Sequence, residues 1–204
     1  MKVENQTREA APATILFVPG LRGHIEDHWQ TILARQIPGA VTVPPLTENR
    51  LSLSARVEAL DVMLRGISGD VIIVAHSAGV LITVHWAQRS SRAVRGALLA
   101  TPADVEMPMP PGYPAYEELQ ANGWIPTPRL PLPFPSILAA SSNDPLAHVE
   151  RTAAFARGWR STLMELGPVG HLNPAAGFGA WPQGWALIDR LRHGTYPAAS
   201  EAGT

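Results

Sequence analysis

The sequence predicts an α/β protein: a single-domain, three-layer αβα sandwich around a mostly parallel, six-stranded sheet. Three observations carry that expectation. Six short apolar runs alternate with longer amphipathic stretches along the 204 residues. The runs show little polar alternation, as expected of strands covered on both faces. Strand–helix alternation of this kind builds a sheet through right-handed crossovers, and roughly 100–200 residues is the span of one domain.

The elements follow in order. Residues 14–18 (TILFV) form the first apolar run, closed by Pro19-Gly20, and residues 28–36 the first amphipathic stretch. Glu26 or Asp27 starts that helix, and Trp29 is assigned to the core. A second strand is expected over 40–43 and a helix over 53–67. The run VIIVA at 71–75 is the third strand and 78–88 its helix; 97–100 and 136–140 are further strands. The last pairs are a helix over 147–157, a strand over 162–166 and a helix over 181–192. No internal repeat is seen.

Residues 101–135 break the rhythm. They hold ten of the twenty prolines, and 113–122 is their only plausible helix. A long irregular connection inside one domain is read as a functional loop or lid rather than a linker. Residues 1–13 and 194–204 are small, polar and aperiodic and are read as disordered tails, which leaves 14–193 as the domain.

Composition narrows the function. The formal charge is −1, so no global basic field is available for nucleic acid or anionic lipid. Cysteine is absent, which removes disulfides, thiolate metal sites, iron–sulfur clusters and cysteine nucleophiles. No apolar run approaches the roughly 20 residues that span a bilayer, and residues 1–13 carry no apolar core of a secretory signal. A soluble cytoplasmic protein without membrane or nucleic-acid partners is expected.

The strongest chemical signal is VIIVAHSAGV, residues 71–80. An apolar strand runs into Ala75-His76-Ser77-Ala78-Gly79 and then a helix. This is the nucleophile elbow G-x-S-x-G with alanine for the first glycine. A sharp strand-to-helix turn presses backbone segments together, so the positions two either side of the serine must be small. The turn lifts Ser77 Oγ above the sheet edge and leaves the Ala78 N–H at the helix start, where it can face an oxyanion.

Around such an elbow the chain order is serine, acid, histidine. His148, His171 and His193 follow Ser77. His148 falls in the first turn of a helix and His193 borders the tail, whereas His171 lies in a glycine-rich loop after the last strand, where a base belongs. For the acid, Asp144 closes the strand PSILAASSND, and Asp104 holds a similar place after GALLATPAD. Asp144 is preferred, with helix capping as its competing role. The second oxyanion donor is expected in the loop Val18-Pro19-Gly20-Leu21-Arg22-Gly23, at the Leu21 N–H.

Two other patterns point to no site. His24 and His28 are four apart, but the H-E-x-x-H and H-x-x-E-H orders are missing and no third ligand is evident, so no metal is assigned. Phosphate-binding glycine motifs are absent, and no cofactor is expected.

Four segments then carry a family resemblance: VPGLRG with DHWQ just after it, AHSAG, SSNDP, and above all GHLNPAAGFGAWPQGW at 170–185. Over residues 14–192 the chain resembles the small serine hydrolases related to retinoblastoma-binding protein 9, within the α/β-hydrolase superfamily. The resemblance implies a minimal α/β-hydrolase fold without a large cap domain. It also implies Ser77, Asp144 and His171 as a catalytic triad, and is consistent with Leu21 and Ala78 as oxyanion donors. Ala75 departs from the usual glycine.

The expected activity is a serine hydrolase working through an acyl-enzyme, a carboxylesterase on small-molecule esters with a modest apolar acyl group. Met107, Met109, Tyr113, Trp124 and Phe134 all fall in the proline-rich segment, and Trp124 and Met107 are the expected substrate-binding residues. The alternatives are an acyltransferase, which shares the first half-reaction, and a non-catalytic interaction module on a hydrolase scaffold.

Overall fold

Alternate residues of the apolar runs face opposite ways, and in the computed structural model, which describes residues 12–195, both faces are covered. The strands are β1 (Thr14–Val18), β2 (Val41–Thr42), β3 (Val71–His76), β4 (Gly96–Ala100), β5 (Ser136–Ala140) and β6 (Thr162–Glu165). They form one sheet in the order β2-β1-β3-β4-β5-β6, and every pairing is parallel rather than most of them. The helices are α1 (Trp29–Gln36), α2 (Leu53–Gly66), α3 (Ala78–Ala87), α4 (Tyr116–Ala121), α5 (Val149–Trp159) and α6 (Pro182–His193).

Period-two alternation divides the interior in two. Leu16, Val18, Ile73, Ala75, Leu99 and Leu138 face a core shared with α2, α3 and α5. Ile15, Phe17, Ile72, Val74, Leu98 and Ile137 face a second core shared with α1 and α6. In the second, Trp29 is fully buried and meets Trp181 edge-on, with ring centroids 4.8 Å apart.

Several boundaries differ from the sequence expectation. β2 pairs over two residues only: the Val43 N–H still donates to Phe17 O at 2.9 Å, but Pro44 and Pro45 after it have no N–H to continue the ladder. α1 begins at Trp29 because the His28 side chain takes the cap position, accepting from the Gln30 N–H at 3.2 Å. α5 begins at Val149 rather than 147, since Asp144–Ala147 close a turn of their own. A one-turn 3-10 helix, Pro174–Ala176, was not anticipated. Most of the two expected tails, 1–11 and 196–204, lies outside the described residues. Ala13, expected in the first tail, packs against the second core, and Gly194 caps α6 with φ 67°.

The proline-rich segment is tied down along its length. The Trp124 indole N–H donates to Leu51 O at 2.6 Å, and the Trp159 indole N–H to Pro128 O at 2.7 Å. Arg151 of α5 binds Asp104 through two bonds, at 2.6 and 3.1 Å, and also Glu106, which in turn receives Arg129 and the Thr127 N–H. The segment is thus a wall braced on α2 and α5.

Candidate active site

β3 ends at His76, and the chain reverses through Ser77 with φ 58° and ψ −127°. A left-handed φ is costly for a residue with a Cβ and persists only where surroundings hold it. Here the Ser77 N–H donates to Ala100 O of the neighbouring strand at 3.0 Å. The small residues of the elbow are explained by distances. A Cβ on Gly79 would lie 2.1 Å from Val18 O, so no side chain fits between α3 and the end of β1. Gly20 sits so close that its Cβ would be 3.2 Å from Ser77 Cβ. Ala75 is fully buried, and its methyl is accommodated in the first core.

The three residues expected to meet do so. The Ser77 hydroxyl lies 2.8 Å from His171 Nε2, and His171 Nδ1 lies 3.0 and 2.9 Å from the two Asp144 oxygens. Donation runs from the Nδ1–H to the carboxylate and from the Ser77 O–H to Nε2. The side chains of His171 and Asp144 are buried to 6% and 3% exposure, which strengthens their attraction by excluding water. Asp144 also accepts from the Leu146 N–H at 2.8 Å, so it braces its own turn and His171 together. Asp104, the alternative acid, is committed to Arg151.

Two residues that hold His171 were not singled out in the sequence. Asn143 Oδ1 accepts from the Gly170 N–H at 2.7 Å, and buried His76 donates from Nε2 to His171 O at 2.9 Å. Both lie beside motif residues, in SSND and AHSAG; that adjacency was the available signal. Gly170 and Leu172 flank His171 with φ of 57° and 47°, giving the loop its sharp course.

Leu21 and Ala78 line the same cleft as Ser77 and His171, and their N–H groups donate to nothing else in the described chain. Arg56 holds the Leu21 carbonyl at 3.1 Å. The cleft encloses about 250 Å³. Trp124 lines it, buried, as expected. Met107 does not; Met109, two positions on, takes that place, and Phe134 is buried near Trp86 instead. Burial, then the nearby His171, lowers the pKa of His28 to about 4, and burial pushes that of His76 well below the usual histidine value. Both rings are therefore neutral at pH 7.

His24 is occupied by Glu26 and Thr31, and His28 by its cap. Among the described residues no three His, Asp or Glu side chains gather as a metal site would require, and no helix is long and apolar enough to cross a membrane.

An all-parallel sheet carrying a strained serine at the tip of a central strand, with a histidine and an acid delivered from later loops, defines an α/β hydrolase. The chain belongs to the serine hydrolase family, whose model matches residues 15–190. It is similar to a YdeN-like hydrolase from Pectobacterium atrosepticum, with 28% identity and a TM-score of 0.76 over 91% of this chain and 94% of that one. The ydeN gene product of B. subtilis matches at 15% identity and TM-score 0.66, over 88% and 98% of the two chains. A thermophilic esterase from Thermogutta terrifontis matches at 16% and 0.61, over 90% and 91%. At these last two identities the likeness is one of fold. No curated protein matches the sequence.

Proposed function

We propose that the protein is a carboxylic ester hydrolase in which Ser77, His171 and Asp144 form a catalytic triad and an acyl-enzyme is the intermediate. The observation that carries this reading is the unbroken chain of contacts from Ser77 Oγ through His171 to Asp144, opening on a cleft walled by Val105, Met109, Leu119, Trp124 and Leu146.

Ser77 Oγ attacks the ester carbonyl carbon while its proton passes to His171 Nε2. Asp144 keeps the second imidazole proton on Nδ1 and stabilises the imidazolium. The tetrahedral oxyanion is met by the N–H groups of Leu21 and Ala78. Collapse breaks the bond to the alcohol oxygen, which takes the proton from His171. Water then attacks the Ser77 ester by the same steps and releases the acid. The apolar wall is the acyl site, and a modest acyl chain fits its volume. The reading of Trp124 as a substrate contact stays, with Met109 in place of Met107.

A fluorophosphonate probe tests this, since it reacts only with an activated serine. Wild-type protein is expected to label and to cleave p-nitrophenyl esters at rates that depend on acyl length, Ser77→Ala to do neither, and His171→Ala to label far more slowly. Folded wild type that fails to label would mark a non-catalytic module on this scaffold.

A further inference from the structure

The cleft has two chemically different walls. The one facing the first core is apolar, built from Val105, Met109, Leu119, Trp124 and Leu146. The other comes from α1 and the turn after His171, through His28, Gln30 and Asn173.

Each of these three has hydrogen-bonding capacity left over. His28 Nδ1 accepts from the Gln30 N–H, so the neutral ring carries its proton on Nε2, and that N–H donates to nothing in the described chain. Gln30 spends its amide protons on Val18 O at 3.3 Å and Val74 O at 2.9 Å; its Oε1 accepts from nothing described. Asn173 Oδ1 accepts from the Ala176 N–H at 3.0 Å, leaving the amide nitrogen without an acceptor. His28 and Gln30 are 7% and 4% exposed. Buried polar groups are ordinarily satisfied within the protein, so unspent donors and an unspent acceptor on one cavity wall are the mark of a polar subsite. Burial keeps His28 neutral, and the guanidinium of Arg22, which also lines the cleft, lies over the Tyr113 ring, 5.3 Å from its centroid. A carboxylate would face Gln30 Oε1 without a proton between them. A hydroxyl, which both donates and accepts, suits all three.

We propose that the cleft is a bipartite site for neutral polyol monoesters, the apolar acyl chain against Trp124 and the free hydroxyls of the alcohol on His28, Gln30 and Asn173. This rests on the ester hydrolase reading above. Hydrolysis then consumes one water, releasing a carboxylic acid and a neutral polyol.

The test compares glycerol monobutyrate with n-pentyl butyrate, matched in heavy atoms beyond the ester oxygen, using the full chain. Because a site built to bind hydroxyls discriminates against analogues lacking them, wild type is expected to favour the glycerol ester in kcat/KM by about tenfold or more. His28→Asn keeps an oxygen to cap α1, and Asn173→Asp keeps the acceptor for Ala176. In each the ratio is expected to fall to within about threefold of unity, since one neutral hydroxyl-binding partner is lost. The second variant carries the test if the first does not fold. A wild-type ratio near unity with the fluorophosphonate still labelling Ser77 overturns the subsite and leaves the hydrolase reading standing. So does a wild-type preference that neither variant lowers. No labelling and no cleavage of either ester overturns both.

Discussion

His76 donates its Nε2–H to the backbone carbonyl of His171 at 2.9 Å, with the two rings 4.9 Å apart. The residue just before Ser77 thus grips the main chain of the residue that would take the Ser77 proton in the proposed reaction. One end of the contact is on the central strand and the other on a loop 95 positions later. It keeps Nε2 of His171 in register with Ser77 Oγ.

Loss of that grip should reduce turnover rather than binding. In His76→Leu, kcat on p-nitrophenyl butyrate is expected to drop by about 10–100-fold with KM little changed, because ~1 Å of misplacement can cost that much. His76→Gln restores a donor and should recover part of the rate. Equal losses in both variants, or a change confined to KM, would show that His76 only fills space.

Stability should decline on mild acidification. Burial lowers the pKa of His28 to about 4, assisted by His171, and that of His85 to about 4, assisted by Arg89; burial also lowers His76. The folded forms stay neutral while the unfolded chain takes up protons as pH falls through about 6.5, so the unfolded state gains. Stability from these groups is complete above pH 6.5 and shrinks as pH falls towards 4, by about 1.4 kcal/mol per pH unit for each proton taken up. Tm measured from pH 7.5 to 5.0 should fall steadily, and His85→Gln should flatten the decline. A Tm that does not move over this range contradicts the sign.

Gly79→Ala should be far more damaging than its size. The added Cβ would meet Val18 O at 2.1 Å, Pro19 O at 2.8 Å, and no flexible side chain is there to yield. Overpacking of this sort costs roughly 1–3 kcal/mol or more, and the shift would pass directly to the Leu21 loop. Reduced Tm together with lost probe labelling is expected. Ala75→Gly, which removes a methyl from a site that tolerates it, should keep labelling within a few-fold of wild type (~3-fold).

Arg151→Leu should loosen the wall without touching the chemistry. Asp104 has a side chain only 2% exposed and would lose its ion-pair partner, while Arg151 itself is 41% exposed, which moderates the effect. A loss on the order of 2 kcal/mol is expected, or a Tm drop of roughly 4–8 °C for a chain of this size. An unchanged Tm in thermal denaturation would mean that the network carries no net stability.

The sheet was legible in the sequence because each strand is a short apolar run flanked by turn residues, and VIIVAHSAGV places a serine at a strand tip by local geometry alone. His171 and Asp144 were legible as types at suitable loop ends. Asp144 was preferred over Asp104 in the sequence although both follow strands; the packing supplies the physical difference, with Asp104 engaged by Arg151 while Asp144 reaches Nδ1 of His171. Met107 was the methionine expected at the cleft, yet nothing local separates it from Met109, which is the one that lines it. Chain order and composition determine which chemistry the polymer can hold, since strand, elbow and cap depend on neighbours a few positions apart. Which acid, which methionine and which histidine serve the cleft is decided by contacts between residues tens of positions apart, and those directions in space exist only once the sheet has closed.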